Sequence, residues 1–261
     1  MGFVCVLGSS GFIGSNITAR LIENNESFLK IDRNKLDYLA DPKISDIIIA
    51  AGSASGNTSQ IIDGNVNFVE KLAKYFSKET IKKNRKTIHL ISSVAVYGTD
   101  ANHIAKETDD LRNKLSIYGA SMLLREKLFE KLARDNDASL NIFRLGHVYG
   151  PGSKGYLQVL RDNPSELQNL KINEKSFGRS VIHINDVVSI ILQIVKNRRK
   201  IDILNLCSGE NISPNYIIDS AFYEKSKSEQ ESFLEPGMYM DNTKLCSLFP
   251  NIKFHSFFDK L

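Results

Sequence analysis

The sequence predicts an α/β protein built on a doubly wound parallel sheet, with a small discontinuous C-terminal region. Three observations predict it. Short β-rich runs alternate with helical periodicity through the first half of the chain. Several of those runs are apolar without alternation, as strands buried on both faces are. The first run leads straight into a glycine-rich segment that opens a helix.

The elements follow in order. "FVCVL" (Phe3–Leu7) is the first strand, and apolar spacing predicts a helix over Gly11–Glu23. "FLKI" (Phe28–Ile31) and "DIIIA" (Asp46–Ala50) are the next strands, with a helix predicted over Gln60–Tyr75. "TIHLI" (Thr87–Ile91) is followed by a helix over Ile117–Asp135, with Ser116 as its cap, and then by "LNIFRL" (Leu140–Leu145). Strand, helix and strand in repetition imply right-handed crossovers. After "YGPGSKG" (Tyr149–Gly155) the pattern loosens. "IHINDVVSIILQIV" reads as a short strand and a helix, with Asp186 as a helix cap, and "DILNLC" reads as another strand. The chain therefore divides into a sheet domain over residues 1–150 and a smaller region over 151–261. Parts of the latter, such as 178–207, return to the sheet. The small region is expected at the C-terminal edge of the sheet, where open α/β folds bind ligands.

Composition narrows the function. The chain has 261 residues, 42% hydrophobic and 25% charged, with a net charge of +4, which suits a soluble globular protein. Its most basic run, "KETIKKNRK" (Lys78–Lys86), has no interleaved aromatic residues, so it reads as a solvated loop rather than a nucleic-acid patch. Cys5, Cys207 and Cys246 have no metal-site or redox spacing, and an odd count argues against a disulfide framework. His89 and His103 have no partner pattern, and no metal site is expected. The N-terminal apolar stretch is too short for a signal segment, and no run reaches the length of a membrane span. A cytoplasmic protein without membrane or nucleic-acid partners is expected.

The segment "GSSGFIG" (Gly8–Gly14) carries the first chemistry. Gly8 permits a tight turn, Gly11 lets a backbone approach a pyrophosphate, and Gly14 permits close helix–sheet packing. The helix N-terminus that follows offers N–H groups and a positive dipole end to phosphates. A strand before it and a helix after it make this a Rossmann-type dinucleotide site. Asp32 ends the second strand at the usual distance for a ribose-binding acid. Its carboxylate accepts from both ribose hydroxyls and repels a 2′-phosphate, which favours NAD. Arg33 can instead pair with a 2′-phosphate, so NADP stays open.

The same residues, taken together, resemble the extended short-chain dehydrogenase/reductase family, the NAD-dependent nucleotide-sugar epimerases, dehydratases and ketoreductases. "GSSGFIGSNI" resembles the family's glycine loop, including Ser10, Phe12 and Ile13. "DRNKLDYLADP" and "DIIIAAGSA" resemble the second-strand end, an adenine-contacting acid (Asp37) and the third strand of dTDP-4-keto sugar reductases, with Ala50, Ala51 and Gly52 beside the cofactor. "NVNFVEKL" puts Asn65 where the family has a helix asparagine, and "ISSVAVYG" (Ile91–Gly98) resembles its serine strand, with Ile91 and Ser93. "SIYGASM" resembles the YxxxK segment, "FRLGHVYGPG" the strand and loop after it, "GRSVIHINDVV" the family's RDFIHVDDV, and "LNLCSGENIS" its late strand and glycine turn.

The resemblance implies roles. Tyr118 is the general acid or base at a sugar hydroxyl or ketone, and Ser93 shares its proton. The family lysine normally lowers the phenol pKa and binds the nicotinamide ribose. Met122 stands in that place and does neither. Lys114 and Arg125 are the nearest cations in sequence, and neither is in register to replace a lysine at 122. His147 stands where relatives have a phosphate-contacting asparagine; packing within a loop is the alternative. Arg179 matches an arginine that clamps the nucleotide diphosphate, with a surface arginine as the alternative. His183 alternates with apolar neighbours and reads as a core or interface histidine. The implied activity is an NAD(P)-dependent oxidoreductase of carbohydrate biosynthesis acting on a nucleotide-activated sugar. The best match is a 4-keto-sugar reductase, since Val94 and Ala95 follow Ser93 where dehydratases carry an acid pair. An epimerase, or an NAD-binding protein weakened by Met122, remains open. Relatives pair through the Tyr118 helix, so a homodimer is expected.

Overall fold

The computed structural model describes residues 3–32, 34–76, 86–98, 103–111, 114–163, 177–215, 217 and 237–258. These form two compact units. The first takes in Met1–Val96, Leu115–Arg144 and Val188–Leu204; the second takes in Tyr97–Lys114, Leu145–Val187 and Asn205–Leu261.

The first unit is built on strands β1 (Phe3–Leu7), β2 (Phe28–Ile31), β3 (Ile44–Ile49), β4 (Thr87–Ser93), β6 (Ser139–Leu145) and β9 (Asp202–Leu206). They form one six-stranded sheet in the order β2-β1-β3-β4-β6-β9. Pairing is parallel, with Cys5 opposite Leu29 on one side and Ile47 on the other, and Ile47 opposite Ile88. From β1 the chain passes outward to β2 and then back across to β3. The strand order thus reverses at β1, and the glycine loop follows at that switch point. The strand interiors are buried (Cys5, Leu7, Ile47, Ile49, Ile88 and Leu90) and pack with Phe68, Leu72 and Phe129 of the covering helices. The absence of alternation in the sequence reflects this two-sided burial.

Helix α1 (Phe12–Glu23) buries Ile17 and Leu21, and α4 (Ile117–Asp135) begins at the predicted cap, where the Ser116 hydroxyl accepts from the Gly119 N–H at 3.0 Å. The helix expected over Gln60–Tyr75 is different. It begins earlier, at α2 (Thr58–Ile62), because Asn57 and Gln60 form a reciprocal capping box. A π-turn over Asp63–Asn67 then separates it from α3 (Phe68–Ala73). Gly64 lies in that turn, close enough to Ser53 that a Cβ would stand 2.7 Å from the serine Cβ. The extra residue of the turn turns Asn65 toward the end of β3.

The basic run is also different at its one described member. Lys86 is fully buried rather than solvated, and its Nζ donates to the carbonyls of Leu39 (2.6 Å) and Asp41 (2.9 Å). Residues 77–85 lie outside the described residues. His89 is buried too, paired with Asp46 at 3.0 Å across β3 and β4.

The second unit has its own mixed sheet of β5 (Ile104–Ala105), β7 (His147–Tyr149), β8 (Gly178–His183), β10 (Asn211–Ile212) and β11 (Gly237–Met240). β8 is central, with β7 and β11 parallel to it and β10 antiparallel. Tyr149, Leu157, Leu160, Val181, Ile212 and Phe257 make its core around α5 (Tyr156–Asp162). Among the described residues, no helix is long and apolar enough to cross a membrane.

Candidate active site

The glycine loop leaves β1 through Gly8, whose φ of +86° favours glycine. A Cβ there would lie 2.3 Å from the Ala51 nitrogen, so the loop and the end of β3 approach to backbone contact. A Cβ at Gly14 would lie 2.2 Å from the Gly8 carbonyl, so α1 seats directly on the turn. Gly11 differs from both. It caps α1 without a side-chain bond, and a Cβ there would meet only the Gly8 oxygen, at 3.5 Å. The first turn of α1 carries no acidic residue. The helix start therefore offers backbone N–H groups with no side-chain cap and no carboxylate in its first turn. Asp32 is exposed just after β2, and Asp37 is exposed in the short turn Leu36–Ala40; Arg33 lies outside the described residues.

Beyond β3 the segment Ala51–Ser53 is tied down from two sides. Buried Asn65 accepts from the Ser53 N–H and donates to the Ser53 carbonyl, both at 2.9 Å. Its amide also donates to the Ser121 hydroxyl at 3.0 Å, which in turn donates to the Tyr118 carbonyl at 2.7 Å. One asparagine thus joins the loop after β3 to the first turn of α4. From the other side, the Arg125 guanidinium donates to the Ala51 carbonyl. It lies against Gly52, where a Cβ would stand 2.6 Å from Nη1.

Tyr118 and Ser93 meet. Helix α4 presses on the short turn Val94–Tyr97 so closely that a Cβ on Gly119 would lie 2.3 Å from the Ala95 carbonyl. The adjacent residue, Tyr118, then shares a side-chain hydrogen bond with Ser93, whose Oγ also accepts from the Ala95 N–H at 3.2 Å. Three influences act on the phenol. Burial raises its pKa above the ordinary value of 10.0, while the Ser93 bond and the charge of Arg125 pull it down. Burial is the largest, so the phenol stays protonated at neutral pH. Met122, one turn on, is buried and uncharged. Arg125 is not in the lysine register, as the spacing implies, yet among the described residues its charge acts on Tyr118; helix register alone misses it. The signals were present: an arginine seven residues beyond the tyrosine, on the same helical face, and a glycine at 52 to make room for it.

Ser93 is held from behind. Its neighbour Ser92 donates to Glu126 of α4, and Glu126 pairs with Arg144 of β6 at 2.8 Å, all three buried. Ile91 is a buried strand residue of β4.

The second unit carries His147 and Arg179. His147 Nε2 is buried with no hydrogen-bond partner among the described residues, and burial together with the charge of Arg179 holds its pKa down at about 4, so the ring is neutral. The Arg179 guanidinium lies over the rings of Tyr156 (4.6 Å) and Phe177 (4.7 Å). Asp186 does not cap its helix. Its carboxylate binds the His255 ring at 2.6 Å and the His255 backbone N–H at 2.9 Å, while His183 stacks on the His255 ring at 4.4 Å. Among the described residues, no three His, Cys, Asp or Glu side chains gather in a metal-binding group.

A model of the NAD dependent epimerase/dehydratase family matches residues 4–207. Solved structures share the fold. MoeE5 in complex with UDP-glucuronic acid and NAD is 22% identical, covering 98% of this chain and 94% of its own, with a TM-score of 0.75. A mutant UDP-glucuronic acid 4-epimerase from Bacillus cereus, in complex with a fluorinated UDP-glucuronic acid and NAD, is 19% identical over 97% and 94%, with a TM-score of 0.76. RMD from Pseudomonas aeruginosa, complexed with NADPH, is 18% identical over 95% and 91%, with a TM-score of 0.72. With the family model spanning most of its length, this chain belongs to the NAD dependent epimerase/dehydratase family.

Proposed function

We propose that the protein reduces a ketone of a nucleotide-activated sugar, the 4-keto sugar being the substrate form, with NADH as the hydride donor that leaves as NAD. The observation that carries the reading is the Tyr118–Ser93 hydrogen bond in a chain of this family. When bound, NAD exchanges a hydride with a sugar carbon. Gly8–Gly14 receives the pyrophosphate; the bare Gly11 cap and the carboxylate-free helix start fit that anion. Asp32 takes the adenosine ribose hydroxyls, which favours NAD over NADP. Asp37 lies beside the adenine, and Asn65 holds Ala51–Ser53 as one wall for the cofactor.

The protonation state supports the reductive direction. A phenol kept neutral by burial is prepared to give its proton to the alkoxide that forms when hydride reaches a ketone. Ser93, accepting from the Ala95 N–H, keeps its own hydroxyl aligned for that transfer. Val94 and Ala95 place no acid beside Ser93, which argues against dehydration. His147 and Arg179 bind the nucleotide diphosphate. Two copies pair through α4, on which Ile117 and Leu124 are exposed.

Epimerisation is the second reading, favoured by the family description itself. One experiment separates them. Oxidation of NADH by dTDP-4-keto-6-deoxyglucose marks the reductase. Interconversion of UDP-glucose and UDP-galactose, without net NADH loss, marks the epimerase. Neither activity, at saturating cofactor, would leave a nucleotide-binding protein in which Met122 has cost the chemistry.

A further inference from the structure

Met122 leaves open how a half-buried phenol is tuned without the helix lysine. Tyr118, Met122 and Arg125 stand at i, i+4 and i+7 on α4 and so share one face. Met122 and Arg125 are both buried there, with 4% and 2% of their surface exposed. The guanidinium has defined contacts. It donates to the Ala51 carbonyl, lies over the Phe129 ring at 5.9 Å, and fills the space that Gly52 leaves open. Among the described residues, charged side chains of α4, β3 and the π-turn have partners. Glu126 is bound by Arg144 and Ser92, Asp46 of β3 is bound by His89 of β4, and exposed Asp63 of the π-turn lies 3.7 Å from Lys71. From β4 the group bonded to the phenol is the uncharged Ser93, and from the π-turn the uncharged Asn65 reaches the Tyr118 backbone carbonyl through the Ser121 hydroxyl.

We infer that Arg125 is a positioning residue that replaces the helix lysine electrostatically: its guanidinium, anchored on Ala51 and admitted by Gly52, supplies the positive charge that Met122 does not. This rests on the reading of Tyr118 as the proton donor. An arginine suits the task because its charge persists at every working pH and its planar fork can hold a carbonyl without turning away. It differs from a lysine at 122 in one consequence. It binds the loop after β3 and biases the phenol at once, so loop position and phenol tuning are coupled through a single side chain. The direction of Arg125's influence on Tyr118, toward the phenolate, agrees.

The test is a site-specific titration of the full chain without substrate. Tyr118→3-fluorotyrosine lowers the intrinsic phenol pKa, and fluorine NMR reads that one site. With Arg125→Gln or Arg125→Met the midpoint is expected to rise by about one pH unit, a tenfold loss of phenolate at fixed pH. With Arg125→Lys it stays within about 0.3 unit, since the charge remains. Arg125→Gln keeps a donor for Ala51 and decides the matter if Arg125→Met does not fold. Neutral variants that titrate where the parent does would overturn the inference, as would an Arg125→Lys midpoint that rises as far as that of Arg125→Gln. A purely structural arginine would lower thermal stability in every variant and leave the midpoint in place. Absence of turnover with every sugar nucleotide would sink the proposed reaction and leave this titration standing.

Discussion

The guanidinium of Arg125 occupies the volume that a side chain at Gly52 would need: a Cβ built there lies 2.6 Å from Nη1 and 3.0 Å from Asn65 Oδ1. Gly52→Ala is therefore expected to destabilise the fold by about 1–3 kcal/mol, as overpacking does. It should cost less in an Arg125→Ala background, because the two side chains contend for one space. A double-mutant cycle by urea denaturation measures that non-additivity.

Tyr118→Phe removes the proton donor and keeps the ring. Turnover is expected to fall by about 10²–10⁴-fold, with NAD affinity unchanged within about twofold. Calorimetric titration of NAD, alongside rates, separates lost chemistry from lost binding. Equal loss of both would assign Tyr118 to the cofactor instead.

Much of the fold is legible in the sequence. The strand limits Phe3–Leu7 and Phe28–Ile31 and the helix Ile117–Asp135 follow from apolar runs and a serine cap, signals that depend on neighbours in sequence. The π-turn at Asp63–Asn67 was not legible as a break. A π-turn keeps helical hydrogen bonding and apolar spacing nearly intact, and its cause is a long-range contact of Gly64 and Asn65 with Ser53. Lys86 misled for a related reason. It ends a basic run, but its partners, the Leu39 and Asp41 carbonyls, lie more than 40 residues upstream. Arg125 falls outside the register of a lysine at 122, whereas electrostatic influence depends on distance through space and not on register.

The Glu126–Arg144 pair should be a stability determinant. Both groups are buried and bonded at 2.8 Å, so Glu126→Ala leaves an uncompensated guanidinium in the core. The expected loss is about 3–5 kcal/mol. Denaturant unfolding of Glu126→Ala and Glu126→Gln checks it, the second being milder because the amide still accepts from Arg144.

His147 gives the fold a pH dependence with a definite sign. Its pKa lies at about 4 in the folded chain, against an ordinary 6.5. Between those values the unfolded chain binds a proton that the folded chain refuses, so stability rises with pH. The contribution is full above pH 6.5 and is lost as pH falls toward 4, by about 3 kcal/mol in all. His147→Gln should flatten that part of the stability profile, as measured by urea midpoints across the window.

Asp32→Asn should weaken NAD binding about tenfold to a hundredfold, the worth of hydrogen bonds to a charged acceptor. NADP binding should weaken less or improve, because the repelling carboxylate is gone. Parallel titrations with the two cofactors give the ratio, and an unchanged ratio would remove Asp32 from the ribose site.

The central claim is that Tyr118 and Ser93 serve hydride transfer from NADH to the keto carbon of a nucleotide sugar. Its most direct test is incubation with NADH deuterated at the transferring nicotinamide carbon and dTDP-4-keto-6-deoxyglucose, followed by mass spectrometry of the sugar nucleotide. The account predicts a product bearing one deuterium at carbon 4, formed by the native chain and suppressed by Tyr118→Phe. Unlabelled sugar with the native chain, or equal labelling by Tyr118→Phe, would contradict it.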